Sequence, residues 1–131
     1  MENQGGHGRE ISFASRLTRS EVQRRMMMLP VLAVAAFFEY EEGRLFFMDV
    51  KDSLGQAWIF LCRFHANEEM GNYFCISWPQ FSMEKGLKEN DEVIFTDRPR
   101  LEGESPERKF KVEIKRKIRL FGVDMWGELN V

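Results

Sequence analysis

Apolar residues along this chain fall into short runs, and most of those runs repeat at every second position. Ile11, Phe13 and Ser15 alternate with Ser12, Ala14 and Arg16. Phe46, Met48 and Val50 share one parity within residues 44–51, and Trp58, Phe60 and Cys62 share one within residues 56–63. Period two puts alternate side chains on one face of an extended backbone, so each segment is expected to be a half-buried strand. Asp52-Ser53-Leu54-Gly55 supplies turn residues between the second and third, which predicts a hairpin. The cleanest alternation comes late, where Phe110, Val112, Ile114 and Ile118 interleave with Lys109, Lys111, Glu113, Lys115 and Lys117. Shorter strands are expected at 73–77 and 92–96, the latter entered through Asn90-Asp91, since Asn tolerates the left-handed conformation of a tight turn.

Helical signals are few and local. Thr18 followed three residues later by Glu21 forms a capping box, in which each side chain satisfies an orphan amide at a helix start, and it predicts one or two turns over 19–23. Trp78-Pro79 opens a second short helix through Lys85, with proline well placed in a first turn and Gly86 placed to end it. Between these, Met26-Met27-Met28-Leu29 is a short buried strand stopped by Pro30. Residues 31–38 are apolar at nearly every position, so periodicity does not separate helix from strand there; the alanine content favours helix or irregular backbone. Residues 64–72 read as a loop or splayed arm, and residues 98–107, rich in charge with two prolines, as a solvated loop.

Six or seven short strands and two short helices indicate a mainly β protein, an antiparallel barrel or curled sheet that buries one face and hides its edges. The 131 residues suffice for one core and not for two. Residues 1–8, with three glycines, read as a flexible leader, 9–119 as the folded domain and 120–131 as a C-terminal tail. The longest apolar run, 26–38, is broken by Pro30 and too short to span a bilayer, so no membrane partner is expected. Two cysteines and no signal-like opening point to a reducing compartment.

Charge redraws this picture less by its sum than by its placement. The net charge is -2, which by itself argues against a polyanionic partner. Between residues 9 and 25, however, five arginines face two glutamates, and between 108 and 119 seven basic residues face Glu113 alone. The molecule is polarised. In the second run, lysines alternating outward from an apolar face fit protection of a sheet edge better than phosphate binding.

Catalytic and metal chemistry has no foothold in the sequence. His7 and His65 are not at ligand spacing from Cys62 or Cys75, so no metal or cofactor is expected, and the cysteines read as small buried hydrophobes. There is no phosphate-cradling glycine loop and no nucleophile elbow, and Glu41-Glu42 and Glu68-Glu69 read as solvated turns. No enzyme activity is expected. A barrel of strands this short leaves little interior for a small ligand once Phe and Met side chains fill it.

Two segments leaving the sheet carry groups suited to DNA. Residues 17–29 offer Arg19, Arg24 and Arg25, whose guanidinium forks fit phosphate or the O6 and N7 of guanine. Residues 63–72 offer Arg63, His65, Asn67 and Asn72, and asparagine pairs with the N6/N7 edge of adenine.

Four stretches in order resemble the plant-specific B3 DNA-binding domain family: Leu17-Thr18-Arg19-Ser20-Glu21-Val22 closed by Leu29-Pro30; Asp52-Ser53-Leu54-Gly55 before Trp58; Ser77-Trp78-Pro79-Gln80-Phe81 with Glu84-Lys85-Gly86-Leu87; and Asn90-Asp91-Glu92-Val93-Ile94-Phe95. The resemblance spans about residues 11–118. It implies a seven-stranded open pseudobarrel with two short α-helices that grips the major groove of double-stranded DNA between two arms, in a nuclear transcription factor. Arg19, Arg24 and Arg25 fall in the first arm, and Arg63, Phe64, His65, Asn67 and Asn72 in the second. Trp58, Trp78, Phe81, Val93 and Phe95 fall in the core. The chain departs from the family in a first arm one residue shorter, in Arg25-Met26-Met27-Met28 replacing a more polar stretch, and in Glu68 and Glu69, which repel phosphate. These departures support a second expectation, a barrel that has lost DNA binding and meets a protein partner, or a second copy, through the apolar tail 120–126.

Overall fold

The computed structural model describes residues 11–97 and 109–128. The expected leader at 1–8 and the solvated loop expected at 98–107 lie outside the described residues. Eleven elements follow one another: β1 (Ser12–Arg16), α1 (Arg19–Arg24), β2 (Met26–Pro30), a single 3-10 turn (Val31–Val34), β3 (Leu45–Lys51), β4 (Ala57–His65), β5 (Tyr73–Ser77), α2 (Pro79–Lys85), β6 (Glu92–Asp97), β7 (Lys109–Leu120) and β8 (Val123–Glu128).

Seven strands form one curled sheet in the order β1-β6-β7-β3-β4-β5-β2, all antiparallel except the β3–β7 contact. The two end strands do not pair with one another, which leaves the barrel open as a pseudobarrel with two short helices. The inward parity is the one the alternation marks: Met48 and Val50, Phe60, Cys62 and Phe64, Phe74 and Ile76, Val93 and Phe95, Phe110, Val112 and Ile114 are all buried. Trp78 and Phe81 of the α2 region close one end of the core against Phe60, with ring centroids 5.3 and 5.0 Å away. Phe37 and Phe38 fill it from another side, at 5.5 Å from Phe110 and 5.3 Å from Phe74. Residues 31–38 therefore take the irregular course, one 3-10 turn that sends two aromatics inward while Leu32 stays exposed.

Two buried carboxylates set the turns that hold this sheet. Asp52 accepts from the backbone N–H of Leu54 and of Gln56 and from Trp58 Nε1, each at 2.9 Å, and pairs with Lys85 of α2 at 2.8 Å. The β3–β4 turn is thereby tied to α2. Asp91 holds Arg116 through both carboxylate oxygens at 2.8 Å and accepts from the Lys88 N–H. Asn90 beside it has φ 73°, the left-handed turn expected of it.

Three features depart from the sequence reading. First, β7 is not an edge: it pairs with β6, β3 and β8, and its cations are largely matched by acids, Arg116 with Asp91, Lys111 with Glu113 at 3.6 Å and Lys117 with Asp124 at 3.1 Å. Edge protection therefore does not explain its lysines. Second, the strand expected to end near Ile118 runs on to Leu120, turns at Phe121-Gly122 with positive φ at both, and returns as β8. An expected tail boundary at 119/120 falls inside β7. Third, Ile118 and Leu120 on β7 and Val123 and Met125 on β8 continue the barrel's inward parity beyond the core and are exposed there.

Among the described residues no helix is long and apolar enough to cross a membrane, and no group of three His, Cys, Asp or Glu could hold a metal ion.

Candidate nucleic-acid interface

Residue parity fixes what the outside of the β2-β5-β4-β3 quarter of the sheet presents. Because Met27, Leu29, Phe74, Ile76, Phe60, Cys62, Phe64 and Met48 point inward, their neighbours point out. Cross-strand register sets these in rows: Met28, Cys75, Arg63 and Leu45 in one, Met26, Ser77, Leu61 and Phe47 in the next. A third row holds Pro30, Tyr73 and His65.

The first arm is braced at the Ser77 end of this face. Thr18 Oγ1 accepts from the Glu21 N–H at 3.1 Å, and the Thr18 N–H donates to Glu21 Oε1 at 2.9 Å, so the capping box forms as read. Glu21 Oε2 accepts from the Met28 N–H at 2.6 Å, which welds α1 to β2. Arg24 occupies the last turn of α1, and Arg25 ends it in the left-handed conformation at φ 55°. Its carbonyl accepts from the Trp78 N–H at 3.2 Å, which anchors the arm to the β5–α2 junction. Replacing Thr18 by alanine is expected to cost about 1 kcal/mol through the lost cap, read as a lower denaturant midpoint with an unchanged slope.

At the Tyr73 end stands the second arm, residues 66–72. Here the structure gives the asparagines architectural work. Asn67 Oδ1 accepts from the N–H of Glu69 at 2.9 Å and of Met70 at 2.7 Å, and Asn72 Oδ1 accepts from the Asn67 N–H at 3.4 Å. Bidentate pairing with adenine needs that oxygen together with the amide NH2, so in this conformation Asn67 offers only its NH2 group, while Asn72 Oδ1 keeps a second lone pair. Asn72 also ties the arm to the exit of β2, its carbonyl accepting from the Val31 N–H at 3.1 Å. His65 lies stacked on Tyr73 with ring centroids 5.1 Å apart.

The arginines are placed differently. Arg19, Arg24, Arg25 and Arg63 are exposed, and their side chains form no hydrogen bond or ion pair with another described residue. Arg63 sits mid-sheet, opposite Cys75 on one side and Leu45 on the other. The structure thus sets Arg24 and Arg25 at one end of the β2–β5 ladder and Asn67 and Asn72 at the other, with Arg63 and His65 on the sheet between. Arg19, at the start of α1, lies at the opposite end of that helix from Arg24. Cys75 faces outward yet is covered, its thiol donating to Met26 Sδ at 3.8 Å. Burial, with the nearby Glu21 charge, pushes the Cys75 thiol above its ordinary range and keeps it neutral.

Sequence reading missed the floor of this face: Met26, Met28, Leu61, Ser77 and Phe47. An apolar run such as Met26-Met27-Met28-Leu29 hides which parity is buried, although the partner strand's alternation, Phe74 and Ile76 inward, supplies the missing register.

The B3 DNA binding domain family model matches residues 13–118. Among solved structures, an Arabidopsis FUS3–DNA complex superposes with a TM-score of 0.59 at 21% identity, over 79% of this chain and 95% of that one. The complex of the Arabidopsis thaliana transcription factor LEC2 with DNA superposes with a TM-score of 0.61 at 16% identity, over 70% of this chain and 86% of that one. These two structures share the fold of this chain. No curated protein matches it.

Proposed function

Because the chain belongs to the B3 DNA-binding domain family, we propose that it is the DNA-binding domain of a transcription factor, acting in the nucleus, and that it holds the major groove of duplex DNA across the β2-β5-β4 face. One observation carries this reading: arginines without an acidic partner among the described residues stand at one end and in the middle of a face bounded by two braced projections. Tyr73 and Ser77 mark the two ends of that face and lie four residues apart on β5, a span of roughly 13 Å at strand rise. A B-form major groove is about 12 Å wide.

In this reading Arg24 and Arg25 take phosphates at the groove edge, Arg63 reaches base edges, and the NH2 groups of Asn67 and Asn72 donate to phosphate or base acceptors. His65, braced by Tyr73, fixes where the second arm leaves the sheet. Glu68 and Glu69, exposed on the same arm, oppose this by like charge and lower the affinity.

Selection from a random duplex library at low and moderate salt tests the proposal. The expected result is one enriched motif with affinity that falls as salt rises. Without enrichment or salt-dependent retention the DNA reading fails, and the protein-interaction reading takes its place. The observation favouring that second reading is the β7–β8 hairpin, whose Ile118, Leu120, Val123 and Met125 leave an apolar face in solvent.

A further inference from the structure

The floor between the two arms has an unusual chemistry for a surface that meets bases. Of the eight positions in its two central rows, Met26, Met28, Leu61, Leu45 and Phe47 are apolar, and Cys75 is covered, its thiol donating to Met26 Sδ. Arg63 and Ser77 alone carry groups able to hydrogen-bond a base edge. Phe47 is 72% exposed and Met28 36%, so this apolar surface is open to a ligand.

Hydrogen-bond readout from such a floor is limited to two side chains. What the remainder can recognise is apolar, and in the major groove the apolar group of a standard base pair is the C5-methyl of thymine. Methionine suits that task, because its unbranched thioether adapts to a methyl group without a fixed pocket. The rim fits the same ligand: Arg24 and Arg25 stand beside the Met26 row, where the phosphates flanking the read bases would lie, and Arg63 occupies the Met28 row itself.

We infer that this domain reads thymine methyl groups through Met26 and Met28, and so selects duplexes with thymines, rather than guanines or cytosines alone, at the centre of the bound groove. The inference rests on the DNA-binding reading above and adds to it the class of sequence recognised.

The test compares the duplex enriched by library selection with the same duplex made with deoxyuridine in place of thymidine. Uracil keeps the O4 acceptor and lacks only the methyl. Wild-type protein is expected to lose about fourfold in affinity for each contacted methyl removed. A Met26→Ser/Met28→Ser variant, its fold checked by thermal melting, is expected to bind the two duplexes equally. Equal binding of both duplexes by wild-type protein overturns the methyl inference and leaves DNA binding standing. A library that yields no enriched duplex overturns the DNA reading and the inference together. The wild-type comparison decides the matter even where the double variant fails to fold.

Discussion

Replacing Asp52 by alanine lowers the unfolding free energy by about 3–5 kcal/mol, the usual cost of stranding one member of a buried ion pair. For a domain of this size, that is a drop in Tm of roughly 10–20 °C. Four donors converge on the carboxylate, two backbone N–H groups, Trp58 Nε1 and Lys85 Nζ, and the Asp52 and Lys85 side chains are only 4% and 6% exposed. The variant leaves Lys85 charged with no counterion in reach and frees the turn between β3 and β4. Lys85→Met should cost less, because Asp52 would keep three N–H donors. Thermal melts of both variants against wild type check the ranking, and a smaller loss for Asp52→Ala than for Lys85→Met would reject this account.

Acidification probes the same carboxylate. Burial opposes its charge, but Lys85, Trp58 Nε1 and the two backbone donors outweigh burial and hold its pKa below the ordinary aspartate range. A folded-state pKa below the unfolded value means that the contribution is complete above the unfolded pKa of about 4. It is lost as pH falls below that value and through the lower folded one. Between neutrality and pH 5 this carboxylate should leave Tm unchanged, and the fall below about pH 4 should be shallower in Asp52→Ala than in wild type.

On the enriched duplex, Arg24→Ala/Arg25→Ala/Arg63→Ala should bind about a hundredfold more weakly than wild type, because Arg63 loses a base contact of roughly 1–3 kcal/mol and Arg24 and Arg25 each lose a salt-sensitive phosphate contact. The single variants separate two kinds of contact. Arg63 stands mid-floor, so its removal should relax specificity at one base position. Arg24 and Arg25 stand at the rim, and each removal should weaken all sequences alike and reduce the slope of log K against log salt by about 0.9. Arg119→Ala, on the β7–β8 hairpin beside Asp124, serves as the cationic control. Fluorescence anisotropy titrations over a salt series provide the measurement. A triple variant that binds like Arg119→Ala would remove these arginines from the interface.

What could be read from sequence was whatever a few neighbouring residues decide. Thr18 and Glu21 lie one helical turn apart, so their reciprocal cap needs no knowledge of the rest of the chain. Asp52 to Gly55 closes a turn between two alternating runs, and Gly86 stops α2 by its own left-handed backbone at φ 60°. Where the outcome depends on register with a distant strand, the sequence is silent. Nothing near Arg116 announces that it is held by Asp91, and nothing near Met26 says which methionine faces outward until β5 is laid beside it. The asparagines show a third limit: residue type identifies a group able to pair with adenine but not that its oxygen is already used by Glu69 and Met70. The hairpin beyond Ile118 was hidden differently, because Phe121 and Trp126 add apolar residues on both parities and blur the alternation of Ile118, Leu120, Val123 and Met125.

The strand order carries a kinetic consequence. β1 and β2 are joined by a six-residue helix yet occupy opposite ends of the sheet, so neither is laid down by lengthening a local hairpin. Phe13 waits for Phe95 and Met27 for Ile76, and much of the loop-closure entropy must be spent before the first arm's platform exists. A domain wired this way assembles late and all at once, in milliseconds to seconds rather than microseconds. A chain emerging during synthesis holds its arginine-bearing arm unanchored until the fifth strand has been made.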